Sequence, residues 1–175
     1  TTSGASTITL NNANSYSGTV SLNTGTGAAS ISNTASAINF AASTLGGSLS
    51  VSTTGNILDS GALSITGTTS LTVSGTSTIT LDSANTYTGA ITLSSGTGAV
   101  AITNAVSAID IAASTLGGAL TISTSGNILD SGALSIAGNA SFTTSGASTI
   151  TLNDANTYSG TVSLNTGTGA ASLSN

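Results

Sequence analysis

The sequence predicts an all-β chain wound as a parallel β-helix. Three observations carry that expectation. The chain repeats itself with a period of 71, so that Tyr16 recurs as Tyr87 and Tyr158. Within each repeat, apolar and hydroxyl residues alternate with a period of two, the side-chain period of a strand. Clusters of Gly, Asn and Ser interrupt the alternation after runs of about three to six residues.

The repeat is read first, because it organises everything else. LNNANSYSGTVSL (10–22) returns as LDSANTYTGAITL (81–93) and as LNDANTYSGTVSL (152–164). GNILDSGALSI occurs at 55–65 and 126–136, and AASTLGG at 41–47 and 112–118. The units are 7–77, 78–148 and a partial third, 149–175; residues 1–6 end a preceding repeat. All belong to one continuous solenoid. A second order sits above this one. Residues 1–33 match 143–175 at 30 of 33 positions but match 72–104 at only 19 of 33. The better match is two units away, which implies a 142-residue super-repeat of alternating units. The chain begins and ends inside a unit and shows no capping segment, so it reads as an excerpt of something longer.

Each element then follows from local chemistry. TITL, TVSL, ASIS, LSVS, LSIT and LTV are rich in β-branched residues and suit a pleated, half-buried surface. NTGTG, TLGG, TTGN and DSG are turn sequences, and their Gly and Asn are expected at positive φ. No stretch carries helical spacing over a dozen residues. About nine strands per unit predict about three coils of three strands. One core column is traced through Ile8, Ile38, Ile57 and Ile79, at steps of 30, 19 and 22. A second runs through Ile31, Val51, Val73 and Ile102, at steps of 20, 22 and 29. The longest step is assigned to the NNANSYSG segment.

Alternation also names the inward set. It comprises Ile8, Leu10, Val20, Leu22, Ile31, Ile38, Phe40, Leu45, Leu49, Val51, Ile57, Leu63, Ile65, Leu71 and Val73, with the same pattern from Ile79 to Ile136. Two departures stand out: Leu71 becomes Phe142, and Val73 becomes Thr144. A larger ring beside a polar isostere suggests a paired repacking, with either a buried hydrogen bond for Thr144 or a place near an edge.

Composition excludes most chemistry. Ser and Thr fill 67 of the 175 positions, with the hydroxyls expected outward; Lys, Arg, His, Cys, Met, Trp and Pro are absent. Five Asp are the only charged side chains. Phosphate neutralisation needs cations, so nucleic-acid binding is not expected. A nucleophilic Ser has no His or Lys to activate it. Thiolate and imidazole metal sites are impossible. No run of about 18 apolar residues exists, so membrane insertion of this segment is not expected. No signal peptide is expected at the start. No catalytic residue, cofactor or metal site is predicted. The chain is nonetheless no disordered tract, because 38% of it is apolar.

The most distinctive motif is A-N-x-Y-x-G. It supplies Asn14, Tyr16 and Gly18, then Asn85, Tyr87 and Gly89, then Asn156, Tyr158 and Gly160. The favoured reading is a turn, with Tyr packed over the corner. The functional alternative is an aromatic platform for sugars, but rings three coils apart stand roughly 14 Å from each other. Asp59 and Asp130 lie in DSG turns, where Asp bonds back to local backbone. Calcium would need several carboxylates together, and the Asp are scattered. A regular Thr-x-Thr ladder, as for ice binding, is missing, and the Asn139 sequon does not recur.

These motifs carry a resemblance. LNNANSYSGTVSL and its copies resemble the β-strand repeats of bacterial autotransporter passengers. GNILDSGALSITG followed by SLTVSGTSTITL resembles repeats of filamentous-haemagglutinin-like exoproteins. The resemblance spans essentially the whole chain. It implies a right-handed parallel β-helix in a giant secreted or surface-attached bacterial protein, acting in adhesion or surface filaments. It carries over no functional residue, and the absence of Lys and Arg sets this chain apart. The expectation is a structural module of an extracellular fibre, or else an adhesin shaft that itself binds neutral glycans or a host surface. Its expected partner is itself, stacked along the axis or bundled laterally through the uncharged surface.

Overall fold

The computed structural model describes residues 1–34, 37–105 and 107–175. Among these the chain is all-β, with parallel strands stacked in about eight turns of a β-solenoid and no helix. One sheet climbs through Ile8–Asn14, Ala29–Asn33, Leu49–Thr53, Thr69–Val73, Ile91–Ser95, Ile109–Ile111, Ile128–Asp130, Ile150–Leu152 and Ala171–Leu173. A second climbs through Thr19–Val20, Ile38–Phe40, Ile57–Asp59, Ile79–Tyr87, Val100–Asn104, Leu120–Thr124, Ala140–Thr143 and Val162–Asn165. Short strands form two separate narrow ladders, one through Asn23–Thr24, Ser43–Leu45 and Leu63–Ile65, the other through Ser114–Leu116, Leu134–Ile136 and Thr157–Tyr158.

Within coils the alternation behaves as the sequence requires. Leu49, Val51 and Thr53 point inward while Ser50 and Ser52 face water. In-register stacking then places like on like. Ile38 sits beside Ile57 and Ile57 beside Ile79. On the other sheet Ile109, Ile128 and Ile150 do the same. Each isoleucine fills the pleat left by the one below, and the core is a continuous apolar column. The buried hydrogen bond expected of Thr144 is present: its hydroxyl donates to the Ser148 carbonyl at 3.2 Å, just past the strand that holds the fully buried Phe142.

The coil count differs from the sequence expectation. Among the described residues the numbers of paired residues differ by 19 to 22, with no step near 30. Ile8 therefore does not stack on Ile38; it pairs with Ala29 in the first sheet, whereas Ile38, Ile57 and Ile79 lie in the second. Val51 pairs with Leu71, and Val73 with Thr53. Ile102 lies in the second sheet, between Leu81 and Ile122. The NNANSYSG-type segment adds no loop. In its second copy it is the far end of strand Ile79–Tyr87, bulged between Leu81 and Asn85.

A 71-residue unit is thus three and a half coils, not three. Ile8, Ile79 and Ile150 are equivalent in sequence, yet Ile79 lies on the sheet opposite the other two. Seven coil steps lead from Ile8 to Ile150, where the chain is back on the sheet it started from. This explains the super-repeat. Units two apart occupy the same face, and adjacent units occupy opposite faces.

Turn glycines follow a different rule from the one expected. Among the described residues only Gly4, Gly75 and Gly146 have positive φ, and no Asn does. Most of the other corner glycines, Gly18 excepted, are required by close approach. A Cβ on Gly89 would stand 2.5 Å from the Gly67 carbonyl oxygen, and one on Gly67 would stand 2.5 Å from the Gly47 carbonyl carbon. Coils spaced at about 4.8 Å leave no room for a side chain at that corner.

Candidate functional site: an aspartate–asparagine bracket between coils

The two recurrent motifs prove to be halves of one device. The Asn85 amide donates to the Asp59 carboxylate at 2.6 Å, from one coil to the next. Its carbonyl oxygen accepts the Leu63 N–H at 2.7 Å. The other Asp59 oxygen accepts the Asp82 N–H at 3.0 Å. The next copy repeats this geometry: Asn156 to Asp130 at 2.7 Å, Leu134 N–H to Asn156 at 2.8 Å, and Asn153 N–H to Asp130 at 2.9 Å. Asn85 and Asn156 are buried. A buried amide bonded to a carboxylate and a backbone N–H is satisfied on both sides. The bulge after Leu81 aims Asn85 inward, so the DSG turn and the ANxY segment meet one coil apart.

The position that would carry the aspartate for Asn14, 26 residues before it, lies outside residues 1–175. Asn14 bonds instead to the carbonyls of Leu10 (2.8 Å), Asn12 (2.9 Å) and Ser32 (3.3 Å), and it is half-buried. Gly18 has nothing within 4 Å of a notional Cβ, whereas Gly160 lies close over Gly138.

Tyr87 is a core residue, not part of a surface platform. Tyr87 is 1% exposed and pairs with Ile65. Its N–H donates to Asn104 Oδ1 at 3.3 Å, while its hydroxyl finds no partner. Burial, and then the nearby Asp59 charge, push its phenol far above the ordinary value. Tyr158 is half-buried, and burial with Asp130 pushes it up to about 12. Tyr16 is also half-buried and packs against the core.

Sequence reasoning missed the inward hydroxyls. Ser43 and Ser114 are buried, each accepting a backbone N–H from the coil below (Leu22 and Leu93, both 2.9 Å). Each also donates to a carbonyl two residues back. The recurrent AASTLGG motif is their signal, and its TLGG end, a turn sequence, hides it. Conversely Leu10, assigned inward, is 37% exposed because it lies in the outermost coil. Among the described residues no group of three or more His, Cys, Asp or Glu could hold a metal. A shallow groove of about 270 Å³ is lined by Thr103, Asn104, Ser123, Thr124, Thr143 and Thr144 among others.

Comparison with known families agrees with the repeat. The chain matches the family described as repeats of unknown function (DUF5649) over residues 26–94 and again over 97–174. The starts of the two matches lie one repeat period apart. Together the matches cover most of the chain, which therefore belongs to that family. No curated protein and no solved structure matched it.

Proposed function

We propose that this chain is a structural module of an extracellular bacterial fibre or surface filament, of the filamentous-haemagglutinin-like kind, and that it performs no catalysis. The observation that carries the reading is the unbroken ladder across the unit boundary. Ile57 pairs with Ile79, and Thr69 with Ile91, as if no boundary existed at residue 78. Each unit ends where the next can start, a half-turn on. Such a stack lengthens without limit, and its stability grows with the number of coils. The surface suits exposure outside the cell, secreted or attached to the outer surface: it offers trypsin no Lys or Arg, and no sulfur to oxidise. Tandem arrays imaged by electron microscopy should be straight rods growing by roughly 34 Å for each super-repeat of seven coils. Arrays whose length does not scale with unit number would reject the reading. Rods with so few charges should also bundle laterally at high concentration; strictly single rods would remove self-association from the account.

A second reading has one observation behind it. The hydroxyl- and amide-lined groove at Thr103, Ser123 and Thr143 has the neutral chemistry a sugar would meet. An adhesin shaft binding neutral glycans would use it, and a glycan array probed with a folded multi-unit rod decides between the two.

A further inference from the structure

Two faces of the rod carry one uncharged pattern, half a super-repeat apart. We propose that rods bundle side by side, the hydroxyl ladder on the first sheet of one copy lying against the corresponding ladder on the second sheet of another. The inference rests on the lateral self-association proposed above and assigns it a surface.

The first ladder lies on strands Ala29–Asn33, Leu49–Thr53, Thr69–Val73 and Ile91–Ser95. In register, Ser30, Ser50, Ser70 and Thr92 stand one above another. Two residues along, Ser32, Ser52, Thr72 and Ser94 do the same. Both columns face outward, because Ile31, Val51, Leu71 and Leu93 between them are buried. Ser30 donates to Asn11 Oδ1 at 2.9 Å, and the other seven hydroxyls make no hydrogen bond among the described residues. Corner hydroxyls differ, being used between coils: Thr54 donates to the Thr34 carbonyl at 2.8 Å and Ser77 to the Thr54 carbonyl at 2.7 Å. The flat face thus keeps donors and acceptors for water or a partner.

Charge marks the limits of the ladder. None of its four strands holds an Asp, whereas the next three in that sheet hold or adjoin Asp110, Asp130 and Asp154. The second sheet reverses this order. Asp59 and Asp82 lie on its earlier strands, and the strands from Val100–Asn104 to Val162–Asn165 hold none. There Thr103, Ser123 and Thr143 stack in register, each one 71-residue unit after Ser32, Ser52 and Thr72. The half-turn per unit is what places the two patches on opposite sheets.

A second copy is the partner these patches fit. A ladder repeating at about 4.8 Å is matched along its length only by an object of the same repeat, and another rod has that repeat by construction. Small side chains let two sheets close face to face, and no carboxylate is buried by the contact. Patches on opposite faces give a heterologous contact, which continues from rod to rod. Rods pointing the same way bring unlike patches level when offset by roughly 17 Å, half the rise of a super-repeat. Four strands of about five residues span roughly 300 Å², too little for a stable pair. Strength therefore comes from the recurrence of a patch on each face in every super-repeat.

Tandem arrays of the super-repeat, varied in every copy, test this by sedimentation velocity over a concentration series. Ser52→Asp spoils the first patch and Thr121→Asp the second. Ser64→Asp adds the same charge at an exposed site outside both. Each patch variant should raise the concentration needed for bundling by at least about tenfold, because its carboxylate would be buried unpaired. Ser64→Asp should bundle as the wild type does. Mixing the two patch variants should restore pairs of rods but not bundles, since one intact patch remains on each partner. Wild-type arrays that stay single overturn both the proposal and lateral self-association. Bundling that Ser64→Asp weakens equally, that either patch variant leaves intact, or that mixing fails to rescue as pairs overturns the proposal alone. Unfolding midpoints check each variant, and Thr72→Asp stands in for Ser52→Asp should the latter not fold.

Discussion

The segments around Tyr87 and Tyr16 share one motif and differ in what lies beneath. Asn85 and Tyr87 sit in mid-solenoid, with a coil on either side; both are buried, and Asn85 is bracketed to Asp59. Asn14 and Tyr16 lie in the first coil and are half-buried, and Asn14 bonds only to carbonyls. The motif has no fixed environment of its own. It acquires one from the neighbouring coil, as expected where each repeat contacts only its neighbours.

The largest effect should come from the corner glycines. Gly89→Val would drive a side chain into the Gly67 carbonyl and should cost at least about 4 kcal/mol in denaturant unfolding. Gly18→Val meets open space and should change stability by less than about 1 kcal/mol. Equal costs would show that the glycines serve something other than coil spacing.

The bracket should come next. Asn85→Ala leaves the Asp59 carboxylate and the Leu63 N–H without their partner, at about 2–4 kcal/mol. Asn14→Ala should cost about 1 kcal/mol or less, because its bonds are near the surface. A double-mutant cycle of Asp59 with Asn85 should show coupling, and additivity would dissolve the bracket.

Alkaline pH offers a gentler test. A tyrosine whose folded value is raised binds its proton more tightly when folded. Its contribution is therefore complete below the ordinary value of about 10 and is lost as pH rises toward the folded value. For Tyr158 that window runs up to about 12. Tyr158→Phe should flatten the fall in stability across it. Tyr87, pushed further, should ionise only as the chain unfolds, seen as a phenolate absorbance step coincident with loss of β-sheet signal.

The smallest effect belongs to the Tyr87 hydroxyl. It is buried and has no partner, so Tyr87→Phe should be neutral or stabilising by up to about 1 kcal/mol. A loss beyond that would reveal a hydrogen bond at this position.

Much of this was legible in the sequence, and the part that was not has a physical cause. Alternation named the core from Ile31 to Ile136 correctly, because a strand buried on one face leaves little freedom. The repeat and the super-repeat were visible as well. The half-turn was not, because both sheets show the same apolar-in, hydroxyl-out pattern. Ile8 is as plausible a neighbour for Ile38 as Ile57 is when residue type is the only guide. Only the uniform length of the coils forbids the longer step. The bracket escaped for a related reason. Asp59 and Asn85 are both turn formers, and each alone is explained by its own turn. Their partnership depends on a coil register that neither motif encodes by itself.

The central claim is the count of three and a half coils per unit, and disulfide cross-linking tests it most directly. The chain has no native Cys, so engineered pairs report without interference. In register, Thr72 lies beside Ser94, while Ala101 lies beside Thr80 on the opposite sheet. A Thr72→Cys, Ser94→Cys variant should oxidise readily to an intramolecular disulfide, because neighbouring strands are spaced at about 4.8 Å, within disulfide reach. A Thr72→Cys, Ala101→Cys variant should not. Three whole coils per unit would place residues 72 and 101 side by side, and a disulfide in that second variant alone would contradict the account.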